Sequence, residues 1–159
     1  GCCFTYGCWF GIEGLLLSGE CPGDCPEIKS CVSFLLSKQN ADGGWGEDFA
    51  SCFDREYASR KKLYGCEAGS TVVQSAWALL AIMAGDCEDT AAVRRGIDFL
   101  MHRQLPSGDW PQENVAGVFN RSVGITYTAF RNVFPLWALG RYARDYAPRR
   151  GLAEEEGKQ

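Results

Sequence analysis

The segment Phe34-Leu35-Leu36-Ser37-Lys38-Gln39-Asn40-Ala41-Asp42-Gly43-Gly44-Trp45 returns in the same register as Phe99-Leu100-Met101-His102-Arg103-Gln104-Leu105-Pro106-Ser107-Gly108-Asp109-Trp110. Phe, Leu, Gln, Gly and Trp recur at matched positions across a turn-forming stretch, which identifies an internal repeat. Each copy reads as the end of a helix, then a Gly-containing turn that carries a Trp back against the structure. Gln39 and Gln104 stand where they can bond exposed backbone groups of the helix end. Gly43 and Gly108 fit a sharp or left-handed turn, and Trp45 and Trp110 need burial together with an acceptor for the indole N–H. These six residues are assigned to the structure of the repeat.

Working outward, each copy is preceded by a one-sided helix. Ile28, Cys31, Val32 and Leu35 fall at i, i+3, i+4 and i+7, opposite Lys29, Ser30, Ser33 and Lys38, in a helix that starts near Pro26. Before the second copy, Asp89 is placed to cap a helix whose stripe is Val93, Ile97, Leu100 and Met101. Between these lie segments with little polar face. Residues 1–19 are apolar on nearly every side from Cys8 onward and predict a helix buried all round; Thr71 to Ala84 predicts a second, and Thr126 to Tyr146 a third in which Pro135 kinks or restarts the helix. Residues 20–26 read as a loop, and 46–69 as a long connection containing short structure. The polar tail from Arg149 is expected to fray.

Alternation of all-round and one-sided helices is the requirement of a two-layer helical ring or solenoid, in which stacked neighbours hide faces that one pair cannot bury. The expected fold is therefore all-α. Only about two and a half pairs are visible, too few to close a ring, and a start on Gly1 suggests a piece of something longer.

At 159 residues, with 46% hydrophobic and 13% aromatic content, the chain has material for one aromatic-rich core and is not disordered. The formal charge of -4 and the absence of a dense Lys/Arg field argue against nucleic-acid binding. Nine cysteines without a dense spacing signature read as free thiols. The pair Cys21 and Cys25 could suit a metal or a disulfide, but the single histidine and the lack of a second close pair leave no metal site and no cofactor expected. No apolar run reaches the length of about 18 residues that a spanning helix needs. Asp48, Asp109 and Glu113 lie beside turns or helix starts, where capping or a local ion pair is the expected role, and His102 reads as exposed. Asn120-Arg121-Ser122 matches a glycosylation sequon.

Longer stretches carry more information than either repeat. Thr5-Tyr6-Gly7-Cys8-Trp9-Phe10-Gly11, Gly43-Gly44-Trp45-Gly46-Glu47-Asp48-Phe49, Gly108-Asp109-Trp110-Pro111-Gln112-Glu113 and the run from Gly117-Val118-Phe119-Asn120 through Tyr127 to Gly140 resemble the C-terminal part of oxidosqualene cyclases, over Gly1 to about Tyr146. The wording Gln112 to Asn120 is most similar to the lanosterol-forming members. The resemblance implies an α/α toroid (α6–α6 barrel), residues 1–148 being a portion of one barrel domain and 149–159 a tail outside it. It implies an isomerase of sterol and triterpenoid biosynthesis, monotopic on the endoplasmic reticulum or lipid-droplet surface, that protonates 2,3-oxidosqualene and guides cation-driven cyclisation.

The family's proton donor is the first Asp of an Asp-Cys-Thr-Ala-Glu motif, which this sequence does not contain. The resemblance therefore implies no catalytic acid in this chain, inactivity of the chain alone, and a missing N-terminal part of the same polypeptide as partner. It also places Trp9, Phe119, Tyr127 and Phe130 as cavity aromatics. Phe130 stands where a tyrosine is common, and Cys8 where a threonine often lies. Two other classes use such helices: protein prenyltransferase β-subunits, which need an Asp/Cys/His zinc site, and non-catalytic helical-repeat interaction modules, which present a wet concave face.

Overall fold

The computed structural model describes residues 3–60, 69–113, 115–119 and 123–152. The element order is α1 (Cys3–Leu17), α2 (Pro26–Ser37), α3 (Ser51–Asp54), α4 (Val72–Ala84), α5 (Thr90–His102), a hairpin of β1 (Gly117–Phe119) and β2 (Val123–Ile125), α6 (Phe130–Arg141), a π-helical turn Tyr142–Tyr146, and α7 (Ala147–Arg149). α4 packs against α1 on one side and α6 on the other, with α2 and α5 behind it. This arrangement buries α4 on every face, from Trp77 and Leu79 to Ile82 and Met83, while α5 buries only the stripe Ala92, Val93, Gly96, Ile97, Phe99 and Leu100. The all-α, inner-and-outer layering expected from the repeat is the architecture observed.

The repeat turns are near-copies in three dimensions. Gln39 Nε2 donates to Gly43 O at 2.8 Å, and Gln104 Nε2 to Gly108 O at 2.9 Å. Trp45 Nε1 donates to Leu35 O at 2.7 Å, and Trp110 Nε1 to Leu100 O at 2.8 Å. Each indole therefore reaches back ten residues to a carbonyl in the last turn of the preceding helix, and Leu35 O accepts from Lys38 N as well. Gly43 and Gly108 have φ of 86° and 84°, a left-handed conformation that glycine adopts without the Cβ penalty. The first turn is further tied to the next outer helix: Gln39 Nε2 donates to Ala92 O and Arg95 Nη2 donates to Gln39 Oε1.

Helix starts follow the expected chemistry. Asp89 Oδ1 accepts from Ala92 N at 2.9 Å, and Thr71 Oγ1 from Gln74 N at 3.3 Å. The connection 46–69 does hold short structure where it is described: α3 and the bridges Trp45 with Thr71 and Glu47 with Ser59.

Several expectations are corrected. α1 is not buried all round, because it stands at one side of the layer: Phe10 is 64% and Leu17 89% exposed. Met101 is exposed because, one residue on from Leu100, it is rotated away from α4. The helix expected from Thr126 begins at Phe130, and the loop around Gly117 is a hairpin pairing Gly117 with Ile125, Val118 with Gly124 and Phe119 with Val123. Pro135 sits inside α6, so of the two expected effects the restart is overturned. Residues 149–152, expected in the frayed tail, are held: Arg150 Nη2 donates to Asp86 O at 2.7 Å and to Oδ1 at 2.9 Å, and Leu152 packs on the core. Asp86 adopts a left-handed turn (φ 55°). Residues 153–159 and the Asn120 sequon lie outside the described residues.

Cys8, Cys21, Cys25, Cys31, Cys52 and Cys87 are free thiols. His102 is exposed, with Nδ1 2.7 Å from Asp98 O.

α6 exposes Val133, Leu136 and Trp137 on one face, and α1 exposes Phe10. Open apolar surface of this kind drives association. The isolated chain is expected to self-associate at about 10–100 μM, the range in which exposed apolar faces aggregate; sedimentation velocity showing a monomer that melts cooperatively would contradict this.

Candidate functional site

The inner helices carry aromatic residues at helical spacing: Tyr6, Trp9 and Phe10 on α1, Trp77 on α4, and Phe130, Phe134 and Trp137 on α6. Packing α1 and α6 on either side of α4 joins them into one sheet of rings. Trp9 meets Tyr6 at 5.5 Å, Phe134 at 5.3 Å and Trp137 at 5.5 Å, all edge-on. Trp77 meets Tyr6 at 5.0 Å, Phe130 at 5.9 Å and Phe134 at 5.4 Å. Phe130 stacks on Tyr127 at 4.4 Å, in the turn that leads into α6. Edge-to-face and offset contacts at these distances are the favoured aromatic geometries.

Three of the four sequence-predicted aromatics belong to this assembly. Trp9 is 8% exposed and is enclosed by its neighbours; Phe130 is half-buried; Tyr127 is 43% exposed and offers its free face to the open side. Phe119 stands apart on β1, 60% exposed. Tyr6, Trp77, Phe134 and Trp137 belong to the same set of rings; on α1 and α6 the signal was in the sequence, as aromatic residues spaced by three, four and seven, whereas Trp77 is the one aromatic of α4 and had no such spacing.

One polar clamp backs the rings. Trp9 Nε1 donates to Glu13 Oε1 at 3.2 Å, and Arg141 Nη1 donates to Glu13 Oε1 at 2.6 Å and to Leu80 O at 2.9 Å. The Arg141 guanidinium lies 5.6 Å from the Trp137 ring centre. A single cation thus joins α1, α4 and α6.

The carboxylates that follow each repeat turn hold the inner helices by their starts. Glu47, buried, accepts from Phe4 N at 3.0 Å and Thr5 N at 2.8 Å. Glu113 accepts from Val72 N at 2.6 Å and pairs with Arg103. Both place negative charge on the N–H groups that open α1 and α4. Asp109 accepts from Trp110 N and pairs with Arg131 at 2.9 Å, and Asp48 accepts from Ala50 N. Asp48, Asp109 and Glu113 therefore have the local roles expected of them. Glu47, the counterpart of Glu113, was legible only as a second acidic residue after the first turn.

Burial pushes the Glu113 carboxyl up, against the lowering by the Val72 N–H and Arg103. A folded-state pKa above the unfolded value means that the folded chain binds more protons, so stability falls as pH rises from the unfolded pKa, near 4.5, through the raised one. Glu113→Gln keeps an acceptor for Val72 N and is expected to flatten this slope, read from urea midpoints at about pH 4 to 7; an unchanged slope would remove Glu113 as its source. The Cys8 thiol is pushed up to about 12, chiefly by burial, with Cys31 and Glu47 adding, so it remains a protonated thiol at neutral pH.

Residues 1–144 match the squalene-hopene cyclase C-terminal domain. The chain belongs to that family. It is 49% identical to human lanosterol synthase over 156 residues, covering 96% of this chain and 20% of the relative. A cycloartenol synthase of Dictyostelium discoideum is 50% identical over 146 residues, 92% of this chain and 20% of that protein. The alpha-onocerin synthase of Lycopodium clavatum is 41% identical over 144 residues, 89% and 18% respectively. The chain thus spans about a fifth of the length of the curated relatives it matches. Membership of this cyclase family disfavours the zinc prenyltransferase and the interaction-module alternatives. The relatives' names cover three different products, so the family alone does not choose one. No described helix is long and apolar enough to cross a membrane.

Proposed function

We propose that this chain forms one wall of the reaction cavity of an oxidosqualene cyclase, in which (S)-2,3-oxidosqualene is converted to lanosterol. The observation that carries the reading is the continuous set of rings from Tyr127 through Phe130 and Phe134 to Trp9. A polycyclising carbocation needs a surface without nucleophilic oxygen, and the negative faces of aromatic rings stabilise positive charge as it migrates. Trp9, Phe119, Tyr127 and Phe130 are the proposed cavity aromatics, Tyr127 and Phe119 being exposed and Trp9 enclosed by Tyr6, Phe134 and Trp137. Phe130 supplies a ring but no hydroxyl.

The proton that opens the epoxide comes from elsewhere in the polypeptide. Glu13, Glu47, Asp109 and Glu113 are each engaged by an arginine, a backbone N–H or both, and the Asp-Cys-Thr-Ala-Glu sequence is not in this chain. The partner is then the N-terminal part of the same polypeptide, residues 1–148 being a portion of its barrel domain. The working location is the cytosolic face of the endoplasmic reticulum or a lipid droplet, because the substrate is a lipid. No cofactor is needed for an isomerisation that begins with a proton and ends by losing one.

The test is incubation of 2,3-oxidosqualene with the purified chain and, separately, with the longest polypeptide its transcript encodes. The expected result is lanosterol from the long polypeptide only. Lanosterol from the 159-residue chain would place the acid among its own carboxylates, and a long polypeptide that yields another triterpene would retain the cavity but refute the product.

A further inference from the structure

Where α4 begins, a partly open pocket with a cavity volume of about 20 Å³ is lined by Glu47, Arg60, Gln74, Glu113 and Tyr127 among others. Two buried polar atoms of this lining have no hydrogen-bond partner, Gln74 Oε1 and Arg60 Nε. Gln74 is only 3% exposed. One atom is an acceptor and the other a donor, and buried groups of both kinds are almost always satisfied in folded proteins.

The neighbouring carboxylates are already committed. Glu47 accepts from Phe4 N and Thr5 N, and Glu113 from Val72 N and Arg103. A molecule that both donates and accepts would satisfy both atoms, and a water fits such a space from about 10–15 Å³ upward. The space beside Gln74 is large enough for a water.

We infer that the cavity holds a single ordered water that donates to Gln74 Oε1 and accepts from the Arg60 Nε–H. Arg60 belongs to the connection between the repeats, where its backbone N–H donates to Gly46 O at 3.0 Å. The water thus ties that connection to the first turn of α4, between the two carboxylates that open the inner helices. The inference stands on the cavity alone and is independent of the cyclase reading.

The test is a crystal structure of the intact polypeptide at a resolution that shows ordered water, together with Gln74→Met, which keeps the shape and removes the acceptor. One peak within hydrogen-bond distance of both Gln74 Oε1 and Arg60 Nε is expected in the wild type, and its loss in Gln74→Met. An empty cavity in the wild type, Arg60 Nε bonded directly to a protein oxygen, or a peak that survives Gln74→Met in place would each overturn it. Should Gln74→Met not fold, the wild-type map decides by itself.

Discussion

Trp45→Ala is expected to remove about 3–5 kcal/mol of stability, the cost of emptying a fully buried indole site that the surroundings cannot refill. Trp45 has no exposed surface, and its ring touches the position of Gly96, where an added Cβ would lie 2.9 Å from Cζ3. Its Nε1 donation to Leu35 O is lost as well. Because a domain holds only about 5–15 kcal/mol in total, the variant is expected to lose its cooperative urea transition or to shift it far down. Trp45→Phe separates the two contributions: it keeps most of the apolar contact and gives up the N–H, for about 1–3 kcal/mol. A shift of under about 1 kcal/mol for the alanine variant would show that the repeat turn is decoration on the helices rather than their fastening.

The glycines of the same turn support this ranking through a different mechanism. A Cβ at Gly46 would lie 2.0 Å from Gly69 O, and one at Gly43 would lie 2.4 Å from Arg95 O. Both are collisions with backbone, which cannot swing aside as a side chain can. The turn is thus packed against the start of α4 and the middle of α5, and the Trp and the glycines are parts of one contact.

The parts of this fold legible in the sequence are those set by local period. Ile28 and Leu35, or Val93, Ile97 and Leu100, mark a helix face by spacing alone, and the Gln-to-Trp turn identifies itself by recurring. What escaped the sequence depends on which element lies next to which. Phe10 and Leu17 have the same composition as the buried residues of α4, and only the position of α1 at the side of the layer leaves them open. The hairpin at Gly117 to Ile125 is too short for its alternation to stand out from a loop. Glu47 could be seen as an acidic residue after a turn, but its reach to Phe4 N and Thr5 N crosses the connection between α1 and the repeat, which no local pattern encodes. The aromatic wall has the same character: Trp9, Trp77 and Phe134 are far apart in the chain, and the layer brings the Phe134 ring to 5.3 Å from Trp9 and 5.4 Å from Trp77.

Within the intact cyclase, Tyr127→Leu is expected to lower turnover of oxidosqualene by roughly 30-fold, equivalent to about 2 kcal/mol of lost cation stabilisation in a dry site. Leucine keeps the surface apolar and excludes water, so what disappears is the ring face that Tyr127 leaves open while its other face stacks on Phe130. Tyr127→Phe keeps that face and should remain within about 3-fold of wild type if the ring is what matters, whereas a loss as large as that of leucine would assign the work to the hydroxyl. Trp9→Leu is expected to behave differently: its ring is enclosed by Tyr6, Phe134 and Trp137, so its loss should lower thermal stability as well as turnover. The products discriminate further, because a cation that loses its stabilising face at one stage is deprotonated there, and partially cyclised alkenes should accumulate with Tyr127→Leu but not with Tyr127→Phe. Unchanged turnover and an unchanged product with Tyr127→Leu would move the reacting carbon away from this end of the aromatic surface.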